Sequence, residues 1–120
     1  MFKKKMGGVE TLVGRNCEIR GNLFSKGTIR IDGKVEGKII SNDGIIVGES
    51  ATIKGDLEGK YVIIAGEITG DVVAQSKLEI LHSGKLFGDI KTPRVVMAEG
   101  VIFEGTCEME KALQENISKK

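Results

Sequence analysis

The chain has 120 residues, the length of one folding unit, with 17 Gly, 1 Pro, no Trp and only 4% aromatic residues. That composition suits tight corners around a narrow aliphatic interior better than a broad globular core. A formal net charge of +1, with few aromatics for stacking, argues against nucleic acid as the main partner, and no apolar run approaches the roughly 18 residues of a membrane span.

The chain opens on Met1-Phe2-Lys3-Lys4-Lys5-Met6, followed by Gly7-Gly8. It lacks an apolar stretch of signal-peptide length, so a cytoplasmic location is expected. Residues 1–11 read as a tail with two possible uses. One is a disordered solubilising segment, and the other is a membrane-surface anchor in which Met1, Phe2, Lys3, Lys4 and Lys5 make the contact.

From Leu12 the pattern changes. The phrase apolar-x-Gly-x-apolar occurs as Ile19-Arg20-Gly21-Asn22-Leu23 and returns around Gly37, Gly55, Gly70, Gly88 and Gly105. The glycine steps are 37 − 21 = 16, 55 − 37 = 18, 70 − 55 = 15, 88 − 70 = 18 and 105 − 88 = 17. A period of this size marks a repeat architecture. A second column keeps step with the first: Val13, Ile31, Val47, Ile64, Ile80 and Met97, each preceded two residues earlier by Thr11, Ile29, Ile45, Val62, Leu78 or Val95. The alternation within each period is two, which is the strand period. A coil of roughly 17 residues at about 3.3 Å per residue closes around a small triangle, and successive coils stack at about 4.8 Å. The expected fold is therefore all-β, a single-stranded parallel β-helix of about six triangular rungs over residues 12–109. Its buried side chains, each contributing about 1.5 to 3 kcal/mol gross, offset chain entropy without disulfide or metal.

Within the first three rungs, Arg20, Glu36 and Lys54 stand beside the glycines with alternating sign, a weak register-setting ladder at most. The glycine column belongs at a corner that is too tight for a side chain or needs φ > 0. Further along, Asp56, Asp71 and Asp89 follow their glycines in one column. Such carboxylates bind a cation or accept hydrogen bonds from turn amides, and the second use is the commoner at corners. His82, the one histidine, sits on an outward turn, whereas a zinc site needs three protein ligands. Pro93 falls at a corner where no ladder donor is needed.

Cys17 and Cys107 have no metal-ligand spacing and lie about five rungs, or ~24 Å, apart along the stack, too far to pair. They occupy positions that are apolar in other rungs and are expected as small buried hydrophobes. No Ser/His/Asp or Cys/His set and no phosphate-binding loop is present, so neither a catalytic constellation nor a cofactor is expected. One outward column, Leu12, Arg30, Ile46, Ile63, Glu79 and Val96, is mostly apolar. It reads either as scattered surface aliphatics or, through Leu12, Ile46, Ile63 and Val96, as a lateral contact with a partner, a sister filament or membrane. Residues 110–120 are a short charged tail in which Met109, Ala112, Leu113 and Ile117 recur at helical spacing. They fray or cap the last rung.

The repeated short glycine phrase, together with Ile31-Asp32-Gly33-Lys34-Val35-Glu36-Gly37, Leu86-Phe87-Gly88-Asp89-Ile90-Lys91-Thr92 and the leading Met1-Phe2-Lys3-Lys4, resembles the bactofilins, bacterial cytoskeletal proteins. The resemblance implies a right-handed triangular β-helix that polymerises end to end into nonpolar filaments without nucleotide. It also implies an N-terminal membrane-targeting peptide and a scaffolding role for cell-wall or cell-shape machinery. A last-rung phenylalanine of the family's terminal contact corresponds to Phe103. Many relatives carry a longer, proline-containing C-terminal tail, which this chain does not match.

Physics points the same way. A β-helix ends in two open rungs over an apolar core, and these must be capped or paired, which makes Val13 and Leu23 at one end and Val101 and Phe103 at the other the candidate contacts for self-association. The rivals are a trimeric hexapeptide-repeat-like acyltransferase, which calls for a stricter six-residue repeat and more histidines, and a monomeric ligand-binding β-helix, which calls for aromatic platforms or threonine ladders.

Overall fold

The computed structural model describes residues 9–109, and every regular element among them is a strand. The expectations for residues 1–8 and 110–120 (the membrane-binding set Met1, Phe2, Lys3, Lys4 and Lys5, and the capping role of the C-terminal tail) fall outside the described residues. The first rung holds β1 (Val9–Val13), β2 (Glu18–Arg20) and β3 (Leu23–Ser25), and the second holds β4 (Thr28–Ile31), β5 (Lys34–Glu36) and β6 (Ile39–Ser41). β7 (Gly44–Val47), β8 (Thr52–Lys54) and the start of β9 (Leu57–Ile64) make the third; the rest of β9, β10 (Glu67–Thr69) and the start of β11 (Val72–Ile80) make the fourth. The fifth is completed by β12 (Lys85–Phe87) and β13 (Ile90–Thr92), and the sixth is β14 (Val95–Met97), β15 (Ile102–Glu104) and β16 (Cys107–Met109). The first strand thus begins three residues before Leu12 (12 − 9 = 3).

All pairings are parallel and run from rung to rung. The first face stacks β1, β4, β7, β9, β11 and β14, and the second stacks β2, β5, β8, β10, β12 and β15. The third stacks β3, β6, β9, β11, β13 and β16. β9 and β11 run round the corner between the third and first faces without a break and join them into one ten-stranded sheet.

The three faces enclose a core of inward residues that recur in columns. Ile29, Ile45, Val62 and Leu78 form one column on the first face, and Ile31, Val47, Ile64 and Ile80 form the next. Val35, Ile53, Ile68 and Leu86 line the second face, and Ile39, Leu57, Val72 and Ile90 the third. Because each residue packs against its equivalents above and below, β-branched side chains fill the interior without aromatic bulk. The few buried polar side chains are paired: Ser41 Oγ donates to the Gly27 carbonyl at 2.7 Å, and Thr28 Oγ1 reaches Asp43 Oδ2 at 3.4 Å.

The uneven glycine steps come from the corners. Between the first and second faces the turn takes four residues in rung three (Gly48 to Ala51) and rung five (Leu81 to Gly84), but two in rung two (Asp32-Gly33) and rung four (Ala65-Gly66). Each tight turn lies against a wide one, and hydroxyls tie them together: Ser50 Oγ donates to the Asp32 carbonyl and Ser83 Oγ to the Ala65 carbonyl, both at 2.8 Å. The strand register is kept by letting the corners absorb the difference.

The corner between the second and third faces never varies. Gly21, Gly37, Gly55, Gly70, Gly88 and Gly105 all stand there with φ between 133° and 152°. Both anticipated reasons for glycine apply at Gly55, where φ is +149° and a Cβ would overlap the carbonyl oxygen of Gly37. At Gly21, with no described rung before it, the φ requirement alone remains, since nothing described lies within 4 Å of its would-be Cβ.

Candidate functional site

The features that stand out are the two ends of the prism, the first face and the carboxylate column. Exposed large hydrophobics among the described residues are Leu12, Phe24, Tyr61, Val96, Met97 and Ile102. All but Tyr61 lie in the first or last rung. The inward columns show the same end effect. Ile19 and Leu23 at one end, and Val95, Val101 and Phe103 at the other, pack on the core yet remain half-buried. Met97, at an inward position of the second column, is 39% exposed because no described strand lies beyond it.

Of the four residues expected at the end contacts, Leu23, Val101 and Phe103 keep accessible surface. Val13 is 3% exposed and offers next to none. Phe103 pairs in register with Leu86, so one side of its ring faces the core and the other the end of the stack. Phe24 and Ile102 were missed by reasoning on inward columns alone. Phe24 was legible as the outward residue between inward Leu23 and Ser25.

Cys17 and Cys107, expected as buried hydrophobes, are both exposed free thiols. Their columns are correctly apolar: Cys107 pairs with buried Ile90, and Cys17 closes the same four-residue turn as buried Ala51. Their exposure follows from their place in the first and last rungs, with no further described strand beyond them. Desolvation by the adjoining core nonetheless raises the Cys107 thiol pKa above its ordinary value, which favours the less nucleophilic protonated form.

The carboxylate column works between rungs. Asp56 Oδ1 accepts from the Asp71 amide at 3.0 Å, Asp71 Oδ1 from the Asp89 amide at 3.1 Å, and Asp89 Oδ1 from the Thr106 amide at 3.1 Å. Asn22 Oδ1 does the same for the Lys38 amide at 3.1 Å. The hydrogen-bonding expectation therefore holds, with the donors on the next rung. His82 is exposed on its turn. In the charged ladder Arg20 Nε lies 4.0 Å from Glu36 but donates at 3.0 Å to Glu18, and among the described residues no ion pair joins Lys54 to Glu36.

The first face carries the outward column in unbroken register: Leu12 beside Arg30, then Ile46, Ile63, Glu79 and Val96. An open concavity of about 740 Å³ lies against it, lined in part by Arg30, Asp32, Ile46, Gly48, Ile63 and Leu81. Arg30 is held by Asp32 through two contacts, Nε to Oδ2 at 3.1 Å and a terminal nitrogen to Oδ1 at 3.3 Å. No group of three His, Cys, Asp or Glu residues among the described residues converges as a metal site would. No helix among them is long and apolar enough to cross a membrane.

The described residues thus form a triangular parallel β-helix whose first and last rungs expose apolar side chains. The comparisons agree: the family model described as "Bactofilin: Polymer-forming cytoskeletal" matches residues 11–108, and the chain belongs to that family. It is similar to bactofilin BacO of Myxococcus xanthus (strain DK1622), 35% identical over 100 residues that make up 83% of this chain and 79% of BacO. It is also similar to bactofilin BacP of the same organism, 31% identical over 99 residues, 82% of this chain but 41% of BacP. Among solved structures, the cryo-EM reconstruction of Thermus thermophilus bactofilin double helical filaments matches with a TM-score of 0.76 at 25% identity, covering 84% of this chain and 100% of that one.

Proposed function

We propose that this chain is a structural protein, not an enzyme, that joins end to end into nonpolar filaments without nucleotide. The filaments associate with the inner face of the cytoplasmic membrane through residues 1–6 and position cell-wall or cell-shape machinery. The observation that carries the reading is the concentration of exposed apolar side chains in the first and last rungs. Each end also leaves strand edges and half-buried core residues that a further rung would cover. Stacking another copy continues the ladder and the core together. Membership of a polymer-forming cytoskeletal family and the likeness to a bactofilin filament support the same assignment.

The test is sedimentation and negative-stain microscopy of the full chain without nucleotide, beside the Phe103→Arg variant. Wild type is expected to pellet as filaments whether or not ATP or GTP is added. Arg at Phe103 places an unpaired charge in the end contact at a cost of several kcal/mol, leaving short oligomers of folded protein. Nucleotide-dependent pelleting, or normal filaments from a folded Phe103→Arg protein, would overturn this account.

A further inference from the structure

The outward column of the first face reads nearly the same from either end: apolar Leu12, positive Arg30, apolar Ile46, apolar Ile63, negative Glu79, apolar Val96. A two-fold axis lying in the plane of contact, parallel to the strands and between the third and fourth rungs, exchanges rung one with six, two with five and three with four, and keeps the strand direction. Self-complementarity of this kind is what an isologous contact requires. We infer that the first face pairs side to side with the same face of a second copy running antiparallel. The inference rests on the filament reading above and adds the surface and orientation by which two filaments associate.

The operation brings Arg30 opposite Glu79 of the second copy, Ile46 opposite its Ile63, and Leu12 opposite its Val96. Asp32 follows Arg30 by two residues and Lys77 precedes Glu79 by two, so the two lie on opposite sides of the Arg30–Glu79 contact and extend it at either end. Among the described residues each of these charges pairs only with a close neighbour in sequence, Arg30 with Asp32 at 3.1 Å and Lys77 with Glu79 at 3.9 Å. The side chains of Arg30, Lys77 and Glu79 are 44%, 37% and 36% exposed. Pairing makes a four-charge network of alternating sign.

Among the described residues Tyr61 is the one exposed large hydrophobic away from the ends, at 45%. It lies in the fourth rung in register with Gly44, and the same axis carries it over Gly44 of the second copy. An amphipathic ring meets a position where the opposing residue has no side chain.

The other arrangements fit worse. A parallel, in-register pairing sets Arg30 against Arg30 and Glu79 against Glu79. On the third face, antiparallel pairing sets Phe24 against Glu108 and Ile40 against Lys91, and the second face is charged along most of its length. Six strands of about four residues cover roughly 30 by 13 Å, about half of the ~800 Å² per partner that a stable interface buries. A single pair of chains is therefore weak, and pairing accumulates along two filaments as each contact makes the next one intramolecular.

The experiment uses full-length chains with Cys17→Ser and Cys107→Ser, carrying Arg30→Cys or Glu79→Cys, polymerised and treated with a short bismaleimide matched to the roughly 10 Å spacing of packed sheets. Antiparallel pairing yields cross-linked dimer from the mixture of the two variants and none from either alone. Cross-linking of each variant with itself, or no cross-linking in filaments that form normally, overturns this inference and leaves end-to-end assembly standing. Absence of any filament overturns both. As a second readout, Tyr61→Ala is expected to form filaments of normal length that have lost side-to-side pairing under the microscope. Unchanged pairing counts against the contact.

Discussion

At Gly55 two constraints act on one atom. The residue is left-handed at φ +149°, and a Cβ would overlap the Gly37 carbonyl oxygen. Gly21 carries only the first constraint, with φ +133° and open space around the missing side chain. Holding a non-glycine residue in such a conformation costs about 1 to 3 kcal/mol, whereas displacing a strand carbonyl also disturbs the ladder. Gly55→Ala is therefore expected to lower the urea midpoint clearly more than Gly21→Ala. Equal losses would mean that backbone conformation alone explains the column. Cys17 and Cys107 make a related point, since a residue type suited to a buried column is exposed when its rung is terminal.

Among the elements, the corner between the second and third faces is tied by side chains that accept from the rung above. Asp71 stands in the middle of this ladder, donating its amide to Asp56 and accepting from the Asp89 amide at 3.1 Å. Asp71→Ala removes one acceptor from an exposed amide, for which about 0.5 to 1.5 kcal/mol is expected. Asp71→Asn keeps a carbonyl oxygen in place, as Asn22 does naturally, and should be close to wild type. Chemical denaturation of both variants distinguishes hydrogen bonding from charge: an Asn variant as unstable as the Ala variant would assign the column an electrostatic role. Elsewhere the corners vary in length while the strands stay in register, so a two-residue insertion at the Asp32-Gly33 turn belongs to the changes that the stack already accommodates in rungs three and five.

For the whole molecule, the proposed membrane contact of residues 1–6 and the proposed filament are expected to act together. Three lysines near an anionic leaflet contribute about 1 kcal/mol each, and partial insertion of Phe2 adds about 1.5 to 3 kcal/mol before ordering costs. One chain is therefore expected to bind weakly. A filament presenting many tails converts later contacts into intramolecular ones, and apparent affinity rises by roughly 10² to 10⁴. In liposome co-sedimentation, wild type should pellet with anionic vesicles at low and moderate salt, and deletion of residues 1–6 or Phe103→Arg should each abolish most of that binding. Equal binding by Phe103→Arg would remove avidity as the mechanism. Equal binding by the deletion would move the membrane contact to another surface, the Leu12, Ile46, Ile63 and Val96 stripe being the next to test.

Much of this fold was legible because stacking repeats one environment six times, so that each column of residues reports the same constraint. The period-two alternation marked the inward columns, the glycines marked an invariant corner, and both located the terminal rungs with Phe103 in the last. What the repeat could not convey is whatever depends on a neighbour being absent or on a different rung. Cys17, Met97 and Cys107 are exposed where no further described strand adjoins them, although their columns are apolar. The amides that Asp56, Asp71 and Asp89 accept from lie 15, 18 and 17 residues ahead, and only the register of the closed coil brings them into reach. The first-face stripe was visible as six letters, but its two-fold complementarity, with Tyr61 aligned to Gly44 and Arg30 to Glu79, emerges only when the strands are placed side by side, because the opposed residues are set by geometry across the face and not by distance along the chain.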